Sequence, residues 1–345
     1  MLVEMSTTDM PLRLVPRPVA TSVEELLAGA TGRAPFSTTD SKSGATFERV
    51  LIDGEPHVVK YLHVDDDWIM RASGDLRCRP LLVWRSGLLD ALPASIDHAV
   101  VGAAEGLGRN GWGAALLMRD VSPWMVPPGD DTVPLEQHLR FMDDMAALAA
   151  RFWGCTDTVG LTPLPSRWSW FGEGMLAVEE DRGWPDPVPS IVAQGWARFA
   201  EAAPSDVFAV VDALRRDAGP LVNALAATPL TLIHGDWKFG NLGTAPDGRT
   251  ILLDWAGPGA APIGCELVWY LAVNAARLPQ TKEEAIDALQ AALEGYGVDT
   301  TAWWETQLSL CMLGAMVLFG WEKSLGDAAE FGWWCDRARE GIARL

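Results

Sequence analysis

One stretch constrains this chain more than any other: His234-Gly235-Asp236-Trp237-Lys238-Phe239-Gly240-Asn241, entered from the apolar Leu232 and Ile233 and followed, beyond a Gly-containing turn, by Ile251-Leu252-Leu253-Asp254. The short apolar runs on either side predict strands, and the polar residues between them a loop pinned at both ends. A pinned loop places side chains. The spacing His-x-Asp-x-x-x-x-Asn sets a carboxylate at Asp236 and an amide at Asn241, and the second strand delivers another carboxylate at Asp254.

Those residue types suit transfer of a phosphoryl group, a reaction that needs little covalent help and much placing. Asp236 is expected to orient and deprotonate an acceptor hydroxyl, and Lys238 to reach the phosphoryl group in flight. Asn241 and Asp254 are expected to hold magnesium through hard oxygen donors. The simpler alternative for the same letters is a plain turn, with Asp capping it and Asn tolerating an awkward backbone.

On these residues the chain resembles the aminoglycoside phosphotransferase and choline kinase group, small-molecule kinases that share the protein-kinase fold. In that group His-Gly-Asp-x-x-x-x-Asn, followed by a strand ending in Asp-Trp (here Asp254-Trp255), carries catalysis and metal binding. The resemblance implies a two-lobed α+β fold, with a small antiparallel sheet first and a mostly helical lobe after it. It implies ATP or GTP as donor, Mg2+ as metal, and a small-molecule acceptor. It makes His234 a residue that packs under the loop, and Glu266 a support for the loop backbone. It also implies a lysine on the third strand that grips the α and β phosphates, and Lys60 in Val58-Val59-Lys60-Tyr61-Leu62 fits by context. The loop at residues 41–45, with Lys42, Ser43 and Gly44, is expected to cover the phosphates through backbone N–H groups. Met118, Asp120 and Val121 mark the crossing between lobes, where backbone groups would hold adenine. The chain departs from the group at one point: it has no Glu between Glu55 and Glu105 to pair with Lys60, which leaves Asp75, another nearby aspartate, or no partner. That loss supports the alternative reading, a catalytically weak or inactive nucleotide-binding protein.

The remaining chain divides into an arm (residues 1–20), a nucleotide-binding lobe (21–118) and a helical lobe (119–345) with the catalytic loop and acceptor pocket. Residues 47–52 and 57–62 flank Asp53-Gly54-Glu55-Pro56 and predict a hairpin. Residues 99–104 and 113–118 predict a second one. Its turn carries the Gly-x-Gly-x-x-Gly pattern of residues 106–111, read as a turn because no helix follows. Ser22 and Glu25 have capping-box spacing, and residues 76–92 have helical spacing, interrupted by Pro80. Leu135, Leu139, Met142, Ala146, Ala149 and Phe152 predict the core face of a long central helix. Residues 155–204 read as irregular. Their tryptophans are expected to be packing or an acceptor wall, and Glu179-Glu180-Asp181 a wet helix face.

Composition closes several options. The net charge of −19 argues against nucleic acid and anionic membrane surfaces, which both demand Lys and Arg, while allowing a cationic acceptor. Five scattered cysteines without a Cys-x-x-Cys pair predict a reducing cytoplasm and no disulfide framework. The apolar run at 308–321 is too short to cross a bilayer. No sequence feature sets an oligomeric state.

Overall fold

The computed structural model describes residues 14–37, 43–107 and 113–345. The chain enters through α1 (Val23–Leu26), where Ser22 Oγ accepts the Glu25 N–H as expected. The Glu25 carboxylate turns instead to the backbone N–H and hydroxyl of Thr21, so the capping box is not reciprocal. Strands β1 (Thr31–Phe36), β2 (Thr46–Ile52) and β3 (Glu55–His63) follow. The β2–β3 turn works because Asp53 (φ 51°) and Gly54 (φ 83°) both adopt the left-handed conformation that a two-residue hairpin needs. β1 was not expected: it is an edge strand, almost wholly exposed, and so carries no alternation for the eye to find.

After β3 come α2 (Trp68–Ala72), whose first N–H groups are capped by Asp67, and α3 (Arg79–Ser86). Pro80 does not interrupt this helix; it sits in the first turn, where a missing N–H costs nothing. The two-residue strand β4 (Ile96–Asp97) leads to β5 (Val100–Leu107) and β6 (Gly113–Arg119), an antiparallel pair as predicted, and the connection at 108–112 lies outside the described residues. The resulting sheet runs β1-β2-β3-β6-β5. In β3, Val59 packs outward with Leu27, Val50, Ala104, Ala115 and Leu117, so Lys60 and Leu62 face the helical lobe.

That lobe opens with α4 (Leu135–Arg151). Met142, Ala146, Ala149 and Phe152 are core as expected, but Leu135 and Leu139 are 49% and 41% exposed. The buried face is centred on His138, Phe141 and Met145, and the two leucines fall on its margin. The segment read as irregular is largely helical: α5 (Leu164–Arg167), α6 (Glu173–Asp181) and α7 (Pro187–Ala202). Proline at the helix starts, not irregularity, explains its composition. α8 (Ser205–Arg216) and α9 (Gly219–Ala226) then lead to β7 (Thr231–Ile233), β8 (Leu242–Thr244), β9 (Thr250–Leu252) and β10 (Gly259–Ala261). β7 pairs with β10, and β9 lies between β8 and β4. α10 (Ile263–Val273), α11 (Lys282–Gly295, with the expected Thr281–Glu284 capping box), α12 (Trp304–Lys323) and α13 (Ala328–Ile342) complete the fold. α12 is buried almost throughout, and no helix among the described residues is long and apolar enough to cross a membrane.

The molecule is thus a two-lobed α+β fold, yet its main core does not stop between the lobes. Leu62, Val64, Trp68, Leu81 and Trp84 belong to the same apolar cluster as α4, α10 and α12. Trp168, Trp170 and Trp196 are buried in it. Glu179 corrects the expectation of a wet acidic face. It is fully buried, and its carboxylate receives Arg71 Nε and Nη2 at 2.6 and 2.9 Å, tying α6 to α2. All five cysteines are free thiols, with the Sγ atoms of Cys265 and Cys311 3.7 Å apart.

Candidate active site

β7 and β8–β9 hold the loop of residues 234–241 between them, and the loop bends sharply at Gly235. With φ at 83°, and with any Cβ there lying 2.1 Å from the Gly257 carbonyl oxygen, only glycine fits. His234 lies beneath, wholly buried and edge-on to Trp255 at 4.7 Å, accepting the Asp236 N–H on Nδ1. Burial drives its pKa down to about 3, so it is a neutral packing residue.

One helix steadies the loop from below. Along α10, Glu266 accepts the N–H groups of His234 and Gly235, Trp269 Nε1 donates to Asp236 Oδ1 at 3.0 Å, and Tyr270 packs edge-on against Phe239. At its end, Asn274 Oδ1 accepts the Phe239 N–H at 3.0 Å. These positions, spaced three or four apart, form one helical face. Burial pushes the Glu266 carboxyl up to about 7, against the opposing pull of the Gly235 N–H and the Arg167 guanidinium. Arg167, also buried, donates to the Gly257 carbonyl at 2.8 Å. Glu266 has the supporting place expected of it. Arg167, Trp269 and Asn274 were not singled out from sequence, because their contacts span 33 to 90 residues.

The predicted site residues of the loop converge. Asp236 Oδ2 receives Lys238 Nζ at 2.7 Å and Asn241 Nδ2 at 2.8 Å. The Leu253 N–H donates to the Asn241 carbonyl at 2.9 Å, which registers the loop against the strand leading to Asp254. Asp254 adopts a left-handed conformation (φ 64°), and its carboxylate meets Lys60 Nζ from the opposite lobe at 2.7 Å. Burial raises the pKa of Asp236, with Lys238 opposing. Burial would also raise that of Asp254, but Lys60 and Lys238 outweigh it and hold the group ionised below the usual carboxylate range.

The acid left open for Lys60 is therefore Asp254. Asp75 is not the partner: both its oxygens accept the Arg79 N–H, at 2.8 and 3.0 Å, capping α3. Asp67, buried and within electrostatic reach of Lys60 and Asp254, is another carboxylate nearby.

The remaining predicted residues are held by other contacts. Gly44 packs so tightly on the Asp66 carbonyl that a Cβ would sit 1.5 Å from it, and Ser43 Oγ accepts the Ala45 N–H at 3.4 Å. Lys42 is outside the described residues. Met118 lies in β6 opposite Val58, Asp120 N donates to the Pro56 carbonyl at 3.0 Å, and Val121 is buried with Ala99, Ala245 and Ile251. Among the described residues, no assigned hydrogen bond joins these three to the Lys60–Asp236 group.

The donor set fits a small hard cation. Asn241 spends its Nδ2 on Asp236, leaving its amide oxygen as an acceptor, and the Asp254 side chain keeps 30% of its surface accessible. Among the described residues, no three His, Cys, Asp or Glu side chains cluster as a protein-only cage would require. A magnesium ion here would complete its shell with phosphate and water oxygens.

No protein-family model and no curated protein matches this chain. Among solved structures it is similar to choline kinase LicA from Streptococcus pneumoniae (12% identity, 93% of this chain and 96% of that one, TM-score 0.47). It is also similar to an ethanolamine kinase from Plasmodium vivax (10% identity, 93% and 86%, TM-score 0.48). A third is an aminoglycoside-3'-phosphotransferase of type VIII (18% identity, 84% and 94%, TM-score 0.46).

Proposed function

We propose that this chain is a small-molecule kinase that moves the γ-phosphoryl group of ATP, or of GTP, to a hydroxyl of an amino sugar, aminoglycoside, amine alcohol or similar acceptor. The observation that carries the reading is the meeting of Asp236, Lys238 and Asn241 from one loop with Asp254 and, from the other lobe, Lys60. Asp236 accepts the acceptor's proton at its carboxylate and orients the hydroxyl. Lys238 leaves Asp236 to face the transferring group, and Lys60 trades Asp254 for the donor's phosphates. Asn241, through its amide oxygen, and Asp254 would hold magnesium, which when bound neutralises phosphate charge. The turn at Ser43 and Gly44 covers the phosphates, and backbone groups from Met118 to Val121 hold the base. In this reading residues 21–118 bind the nucleotide, residues 119–345 carry the loop and acceptor pocket, and the protein works in a reducing cytoplasm. The net charge of −19 favours a cationic acceptor.

An ADP-release screen over amino sugars, antibiotics, amine alcohols and plain sugars tests this, with Asp236→Ala alongside. The expected result is turnover with at least one acceptor and a loss of roughly 10² to 10⁴ in kcat for the variant, nucleotide affinity being kept. Magnesium-dependent ATP binding with no turnover across the panel would favour an inactive nucleotide-binding protein instead. Undiminished turnover in Asp236→Ala would remove this residue from the chemistry.

A further inference from the structure

Among the described residues three donors hold the Asp236 carboxylate, and they are not equivalent. Lys238 and Asn241 both bind Oδ2, at 2.7 and 2.8 Å, and in the reading above Lys238 leaves that oxygen for the phosphoryl group while Asn241 keeps Nδ2 on it and turns its amide oxygen to the metal. Among the described residues Trp269 alone binds Oδ1, at 3.0 Å, and it has no second task in that reading.

Its ring cannot swing away. It is wedged edge-to-face between Trp170, at 5.7 Å and 80°, and Phe319, at 4.9 Å and 66°, and is 8% exposed. It also stands one turn beyond Glu266, which fixes the backbone of His234 and Gly235. The same helix face thus fixes the main chain on one side of the bend and a side chain on the other.

A buried indole commonly seeks an acceptor, which would make this bond a matter of packing alone. In this fold the rule holds for some and not for others: the buried indoles of Trp84, Trp196, Trp255 and Trp334 donate to the Pro18, Phe171 and Leu252 carbonyls and to the Glu330 carboxylate, whereas those of Trp168, Trp170, Trp237 and Trp321 have no hydrogen-bond partner among the described residues. Burial alone thus does not dictate a bond, and the acceptor that Trp269 has is the carboxylate of the loop.

We infer that Trp269 is a positioning residue whose indole N–H holds the Asp236 carboxylate by Oδ1 while Oδ2 exchanges Lys238 for the acceptor hydroxyl. The inference rests on Asp236 being the base. Loss of the indole donor leaves nucleotide and acceptor binding intact and loosens the one group that must meet the hydroxyl at fixed geometry.

Two variants test it: Trp269→Phe, and benzothienylalanine placed at 269 by codon suppression, which keeps the ring shape and replaces N–H by sulfur. Both are expected to lose about tenfold or more in kcat, with both KM values within about twofold of the parent. If the benzothienylalanine protein turns over at the parental rate, or if both KM values rise in step with the loss of kcat, Trp269 is packing only.

A second measurement works without turnover. In protein labelled with 15N at the indole nitrogens, the Trp269 N–H is expected to exchange with solvent slowly, to stay slow on adding ATP with magnesium, and to exchange about tenfold faster in Asp236→Ala. Exchange unaffected by Asp236→Ala, or released by the nucleotide, would overturn the inference. A parent protein without turnover on any acceptor, but with this exchange pattern, would count against the kinase reading and leave the hold of Trp269 on Asp236 standing.

Discussion

Gly235 shows how little freedom a single residue has at this site. Its positive φ costs a larger residue about 1–2 kcal/mol, and a Cβ would have to push Gly257 back from 2.1 Å to an ordinary contact. Gly235→Ala should therefore lower stability by roughly 2–4 kcal/mol in urea unfolding and displace the neighbouring Asp236 enough to cut turnover at least tenfold. An alanine variant as stable and active as the parent would mean that the Gly257 loop yields freely. The motif was legible because chemistry and backbone geometry coincide in eight consecutive residues. What holds it was less so. Glu266 was expected through the family resemblance, but Trp269 and Asn274 follow at helical spacing, and nothing in the sequence separates such positions from ordinary core. Arg167 lies 90 residues from its acceptor and left no signal at all.

At the scale of elements, the hairpins and the capped α11 could be read in advance because turn chemistry and caps are local. α6 could not, since Glu179 looks like one acid in a run of three until Arg71 of α2 is placed against it. That pair is one of the ties between the two lobes. Arg71 Nη1 also donates to the Val64 and Asp65 carbonyls at 2.9 Å, and Arg182 Nη2 reaches the Asp65 carbonyl at 2.7 Å. Arg71→Ala strands the Glu179 carboxylate in the interior, with Asp186, now 3.7 Å from Arg71, losing its cation too. The expected cost is about 3–5 kcal/mol. The double variant Arg71→Met, Glu179→Leu should cost clearly less than Arg71→Ala, because no charge is left buried. A double-mutant cycle by denaturant unfolding reads this directly, and additive losses would show that the pair is not coupled.

For the molecule as a whole, buried imidazoles and the buried Glu266 carboxyl pull acid stability in opposite directions. His234 and His138, both without exposed surface, have pKa values pushed by burial to about 3 and about 4, respectively. Each binds fewer protons folded than unfolded, so its contribution is intact above the unfolded value near 6.5 and is lost as the pH falls toward the folded value. At pH 5 each should have removed about 2 kcal/mol. Glu266, raised to about 7, gains its proton over the same range and offsets part of this loss, so the comparison is with His138→Gln. Between pH 7.5 and pH 5 the urea midpoint of the parent should move downward relative to that of the variant, and an identical pH dependence in the two would contradict the His138 assignment. The core that encloses these histidines also runs from Leu62 and Trp68 into α10 and α12 without a break. In the proposed function, a new acceptor preference cannot be acquired cheaply by recutting side chains of this core, because they also keep the protein folded. Variation in specificity has the rim and the loops to work with, where a change alters what is admitted and leaves the interior alone.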